Sequence, residues 1–106
     1  MTVRMAVIGC VEFSATMFDT LLDIPQVSVV SVVTKDSSKL NSDFVSLRGK
    51  AEEKKIPCLS VSGRGELEIQ DFLKSYDVEI AMCAGWSYLL PGCVISSVPR
   101  GVIGFH

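Results

Sequence analysis

Val27-Ser28-Val29-Val30-Ser31-Val32-Val33 decides the fold. β-branched side chains are stiff about χ1 and pack well on a pleated surface, so a run this rich in valine reads as a strand. It shows no strict alternation of apolar and polar residues, and therefore no face prepared for water. A strand covered on both faces belongs to a parallel sheet with helices on either side. The run ends at Thr34-Lys35-Asp36.

The same grammar extends in both directions. Upstream, the apolar run Val3 to Ile8 is closed by Gly9 and followed by Phe13, Met17, Phe18, Leu21 and Leu22, a spacing that predicts one face of a helix, ended by Pro25. Downstream, Asp36 to Ser42 is polar and turn-forming, and Ser42 is a candidate cap for a helix carrying Phe44, Leu47 and Ala51, weakened by about 1 kcal/mol at Gly49. Ile56 to Val61 reads as a third strand near a sheet edge, because Pro57 cannot donate to a ladder. Ser62-Gly63-Arg64-Gly65 turns the chain into a helix bearing Leu67, Ile69, Phe72 and Leu73. Val78 to Ala84 is the fourth strand, Pro91 to Ser97 a short helix, and Val102 to His106 the fifth strand.

Alternation of this kind predicts a single Rossmann-like α/β domain over residues 1–106, with a parallel sheet in the order 3-2-1-4-5 and the first strand central. A fifth strand at the end of the chain leaves an apolar edge uncovered, an arrangement natural domains avoid. The expectations are an N-terminal fragment of a larger catalytic domain, truncated after its fifth strand, and self-association through that edge.

The chain has 106 residues, 48% of them hydrophobic and 21% charged, with a formal net charge of −2, which suits one small core. It offers no basic field for phosphate backbones, so nucleic acid is not an expected partner. Cys10, Cys58, Cys83 and Cys93 lie far apart, and one histidine cannot complete a zinc set at that spacing, so no metal is expected. Cysteines in apolar runs read as reduced core residues, which favours the cytoplasm, and the first apolar run is too short to span a bilayer.

Three places invite a chemical reading. The turn Gly9-Cys10-Val11-Glu12-Phe13-Ser14 occupies the phosphate-binding position of a dinucleotide fold, yet it has one glycine where that fingerprint has three, and Cys10 and Val11 are bulky. Dinucleotide binding is disfavoured on that ground, and Asp36 falls too late for the usual ribose-binding acid. Ser62-Gly63-Arg64-Gly65 lacks the Lys-Ser/Thr of a P-loop and reads as a turn. Ala84-Gly85-Trp86-Ser87-Tyr88-Leu89-Leu90-Pro91 puts the only tryptophan and one of two tyrosines into a loop at the carboxyl end of the fourth strand. These rings either cover the core or line a site. His106, the only histidine, is either a bland terminal residue or a proton shuttle working near neutral pH.

Together, the turn from Gly9 to Ser14, the loop from Ala84 to Pro91 and the closing Gly104-Phe105-His106 resemble the amino-terminal domain of the folate-dependent formyltransferases. Thr34-Lys35 and Asn41-Ser42-Asp43-Phe44 look most like the branch that formylates amino sugars on nucleotides, a branch related to methionyl-tRNA formyltransferase. The resemblance runs along the whole chain but covers only the first part of a family catalytic domain. It implies 10-formyltetrahydrofolate as formyl donor, a primary amine as acceptor, and no metal. It implies His106 as the catalytic group that takes the amine's proton. It also implies a folate pocket lined by Trp86, Ser87, Tyr88, Leu89 and Leu90, with Glu12, Phe13 and Ser14 bordering the substrate side. Gly104 stands where the family has Asn, so the side-chain donor to the tetrahedral oxyanion is missing. The family's orienting Asp and its Ser-Leu-Leu-Pro loop belong to sequence beyond these residues.

The leading expectation is thus formyl transfer to an amine of a nucleotide-linked sugar by the parent protein, the isolated segment being inactive. The rival is a non-catalytic nucleotide- or folate-binding module of Rossmann type, in which Gly104 records lost catalysis.

Overall fold

The computed structural model describes residues 2–36, 44–62, 65–86, 90 and 92–105, without the side chains of Glu66 and Phe105. Nine elements alternate along the chain: β1 (Val3–Gly9), α1 (Glu12–Leu22), β2 (Val27–Thr34), α2 (Arg48–Glu53), β3 (Cys58–Ser60), α3 (Glu66–Ser75), β4 (Ile80–Ala84), α4 (Gly92–Ile95) and β5 (Val102–Phe105). The strands form one five-stranded sheet in the order β3-β2-β1-β4-β5, and every neighbouring pair is parallel. The expected α/β class, strand order and central first strand are all present.

Both faces of the sheet are covered, as the valine run requires. Met5 and Val7 of β1 point into a core shared with Met17, Phe18 and Leu21 of α1 and Ala51 of α2. Ala6 and Ile8, the alternate residues, point into a second core with Ile69 and Leu73 of α3 and Val94 of α4. The period-2 alternation of strand side chains is what divides one apolar run between two cores. The register of β1 against β2 shifts between Met5, opposite Val29, and Ala6, opposite Ser31, so Val30 is taken up in a bulge.

Several local expectations are corrected. The buried stripe of α1 is Ser14, Met17, Phe18 and Leu21, spaced three and four apart, and Phe13 stands one residue off it at 52% exposure. Leu67 is 72% exposed because Ile69 and Leu73 hold the inner face of α3, and two residues round a helix is the far side. Phe44 is not helical: it forms an isolated antiparallel bridge with Val11, and Val45 N–H donates to the Cys10 carbonyl at 2.8 Å. That pairing keeps the chain extended past the β1–α1 turn. The helix begins only after Leu47, whose N–H donates to Thr34 Oγ1 at 3.0 Å. Ser42 lies outside the described residues.

Candidate functional site

The strand order reverses between β1 and β4, so the loops leaving their carboxyl ends part there and open a crevice, the usual ligand position in open α/β sheets. Gly9 and Ala84 stand side by side at this edge, and Phe105 stands beside Ala84. The loops are tied together below the opening. Ser14 Oγ donates to the Ala84 carbonyl at 2.5 Å and accepts from Val11 N–H at 3.3 Å, and Cys10 Sγ reaches the Gly85 carbonyl at 3.5 Å.

Two glycines make this closeness possible. A Cβ on Gly9 would overlap both the Ser14 hydroxyl and the Ala84 carbonyl. Gly85 has φ +66°, in the left-handed region, and a Cβ there would strike Val11. Cys10 and Val11 are buried in the turn itself, so it is packed with its own side chains where a three-glycine turn would leave bare backbone.

A cation and an indole meet above this tie. Lys35, the first residue after β2, is only 5% exposed, and its Nζ lies 5.4 Å from the ring centroid of Trp86. That distance is within cation–π range. Trp86 Nε1 is buried and has no hydrogen-bond partner among the described residues. One strand further out, Asp36 Oδ1 accepts from Arg48 Nε and from Ser60 Oγ, both at 2.9 Å. The Arg48 guanidinium, followed by the Ser60 hydroxyl, holds the Asp36 carboxyl below its ordinary value. Asp36 and Ser60 line a depression with Val61 and Ser62.

Neither Cys83 nor Cys58 is prepared for nucleophilic work. Burial pushes the Cys83 thiol up to about 11, with Cys10 adding to the effect, and burial also raises Cys58. A larger cavity, about 370 Å³, lies at the opposite, amino-terminal edge of the sheet between Arg4, Lys74, Asp77, Glu79 and Ser97. Two of its charged groups, Arg4 and Glu79, are engaged in the fold. Arg4 Nη2 donates to the Tyr76 carbonyl at 2.6 Å, and Arg4 N–H donates to Glu79 Oε2 at 2.8 Å. Ligands of such sheets gather at the other edge.

The structure places the sequence-derived candidates unevenly. Glu12 and Phe13 are exposed in the first turn of α1, at the crevice, whereas Ser14 is fully buried and engaged between the two loops. Trp86 and Leu90 flank the loop and pack against the α3–α4 core. Ser87, Tyr88, Leu89 and His106 lie outside the described residues. Gly104 is exposed in β5 opposite Cys83. Lys35, buried beside Trp86 at this edge, is a residue to which the sequence reading gives no role. Its signal is a lysine set directly after a strand buried on both faces, where the chain cannot turn it easily to water.

No family model matches the chain, and no curated protein matches it. Solved structures do match in fold. Glycinamide ribonucleotide transformylase 1 from Symbiobacterium toebii aligns with TM-score 0.74 and 17% identity over 97% of this chain and 50% of its own. Phosphoribosylglycinamide formyltransferase from Coxiella burnetii gives 0.68 and 15% over 98% and 51%. The enzyme of that name from Bacillus halodurans gives 0.70 and 13% over 97% and 55%. The chain thus spans about half the length of these structures. With its five parallel strands in the order 3-2-1-4-5 and helices on both faces, it has the Rossmann-like α/β fold of these formyltransferases.

Proposed function

We propose that this chain supplies part of the site of a formyltransferase that moves a formyl group from 10-formyltetrahydrofolate to a primary amine, the acceptor being an amino sugar linked to a nucleotide. One observation carries the reading. The β4–β5 register sets Phe105 beside Ala84. The residue after Phe105 is the only histidine, and the residues after Ala84 begin the Gly85–Trp86 loop. Phe105 and Ala84, which precede the proposed proton acceptor and the proposed folate-side loop in the sequence, therefore stand on adjacent strands at the same edge. The fold shared with three formyltransferase structures supports the same assignment.

The chemistry follows from those positions. The amine attacks the formyl carbon to give a tetrahedral adduct, His106 accepts the proton the nitrogen loses, and the adduct collapses by breaking the bond from carbon to folate N10, which takes up that proton as tetrahydrofolate leaves. The adduct carries an oxyanion, and Gly104 has no side chain to donate to it. A backbone N–H or a residue beyond this chain must take that part, a donor of the kind whose removal costs about 2.7–4 kcal/mol. The chain spans about half the length of the matched formyltransferase structures, and by itself it is expected to be inactive.

The test is formyl transfer by the parent protein and its His106→Ala variant, followed as tetrahydrofolate release with an amino-sugar nucleotide as acceptor. A loss of about 10²–10⁴-fold is expected for a general base. Equal activity of the two proteins would remove the catalytic assignment. Gly104 favours a second reading, a folate-binding module without turnover. Tight folate binding with no transfer to any amine would establish that reading.

A further inference from the structure

We propose that the depression beside Asp36 is a diol-binding subsite, in which two neighbouring hydroxyls of a sugar are held by the Asp36 carboxylate and by the hydroxyls of Ser60 and Ser62. β2 ends at Thr34, and Thr34 stands opposite Ser60, the last residue of β3. Asp36 and Ser62 therefore follow the carboxyl ends of two adjacent strands. With Ser60 and Val61 they line a hollow of about 220 Å³. Counted along the chain, Asp36 comes too late for the ribose-binding acid of a dinucleotide fold. In space it stands just beyond the carboxyl end of the second strand, on the side of the sheet edge where ligands of this architecture gather.

The carboxylate is anchored and only half used. Oδ1 accepts from Arg48 Nε and from Ser60 Oγ, both at 2.9 Å, whereas Oδ2 accepts no hydrogen bond among the described residues. Arg48 and Ser60 hold the carboxyl below its ordinary value, so at neutral pH the group is ionised and can only accept. Ser60 Oγ spends its one proton on Asp36 and keeps lone-pair capacity for a further donor. Ser62 is exposed at the rim and adds a hydroxyl that donates or accepts. Charge then selects the ligand. An anion meets the carboxylate, a cation finds that carboxylate already paired with Arg48, and among the described residues no group of His, Cys, Asp and Glu is set to hold a metal ion. What suits the hollow is a neutral ligand with two O–H donors side by side, one for Oδ2 and one for Ser60 Oγ. Hydrogen bonds to the ionised oxygen are of the stronger, charge-assisted kind. The subsite does not require formyl transfer; only the source of the diol rests on the proposed function, being either the ribose or the amino sugar of the acceptor.

The amide resonances of Asp36, Ser60 and Ser62 are followed by NMR while the 106-residue chain is titrated with uridine, with dideoxyuridine lacking both secondary ribose hydroxyls, and with methyl galactoside, which carries its neighbouring hydroxyls on a hexose. A saturable shift with a millimolar Kd is expected for uridine or the galactoside, since few hydrogen bonds form. Uridine alone assigns the ribose, the galactoside alone assigns the amino sugar, and both together support a diol site that accepts either ring. Asp36→Asn is expected to weaken binding by about fivefold or more, because the charge-assisted bond becomes a neutral one. Ser62→Ala, a change at an exposed residue outside the core, is expected to weaken it about twofold or more and serves if Asp36→Asn does not fold. No saturable shift with either sugar overturns the subsite. So does uridine binding that dideoxyuridine matches while the galactoside fails, or a folded Asp36→Asn that titrates like the wild type. Formyl transfer can fail in the parent while this titration succeeds, so the two proposals stand or fall separately.

Discussion

Ser14 and Ser31 are both fully buried, and their hydroxyls have opposite fates. Ser14 Oγ joins the Val11 N–H to the Ala84 carbonyl, whereas Ser31 Oγ, in the middle of β2, has no partner among the described residues. Ser14→Ala strands a buried donor and acceptor and is expected to lower unfolding free energy by about 1–3 kcal/mol. Ser31→Ala deletes an orphan and is expected to be neutral or stabilising by up to about 1 kcal/mol. Urea midpoints that moved equally for the two variants would contradict this account. Cys83 gives a pH prediction with a definite sign. Its thiol is raised from 9.0 to about 11 by burial, so the unfolded chain gives up this proton first as pH rises. The contribution is fully present below pH 9 and is lost progressively as pH climbs through 9 towards 11, amounting to roughly 2–3 kcal/mol at that end. Cys83→Ala should flatten this alkaline loss in denaturant melts. Asp36 runs the other way: its lowered pKa makes a contribution that is present at neutral pH and fades as pH falls below 3.8.

Among the elements, α2 and the β4 loop set two glycines against each other. Gly49 is the second residue of α2, in its first turn, and a Cβ there would meet nothing, so the residue brings only backbone freedom to be lost. Gly49→Ala is expected to stabilise by about 0.5–1 kcal/mol. Gly85→Ala forces a side chain to φ +66° and against Val11, and should cost about 1–3 kcal/mol or more. Thermal melts of the two variants should therefore shift in opposite directions, and a Gly85→Ala melt at or above the wild-type temperature would show the two loops to be independent. The helices themselves are legible from their apolar spacing, but their limits are not. The predicted start of α2 at Ser42 gives way because Val11 and Cys10 recruit Phe44 and Val45 into an extended pairing, a contact made across more than thirty residues of chain. Phe13 fits a helical period with Met17 yet faces outward, because a period says that a stripe exists and not which neighbouring residue lies at its edge.

At the scale of the whole molecule, the sheet leaves β5 at an edge, with Ile103 47% exposed and Gly104 exposed beside it. We propose that a second copy pairs along this edge, since among the described residues no strand pairs with the outer side of β5 and Ile103 is exposed there. Sedimentation should show concentration-dependent dimers that Ile103→Lys returns to monomer, and a monomer at every concentration would refute the pairing. The strand order is legible in the sequence because it follows from alternation, the right-handed crossover and a single reversal of direction. The class of the sheet rests on Val27 to Val33, whose missing polar face admits only burial on both sides. Composition, period and local stiffness act over a few residues, and the sequence determines them by itself. The crevice is different. That Lys35 would be drawn inside beside Trp86, that Ser14 would serve the fold at Ala84, and that Phe105 would come level with Ala84 depend on residues as much as seventy positions apart. Tertiary structure decided those matters, because burial and register are properties of what packs against a residue, and nothing local to it encodes its neighbours.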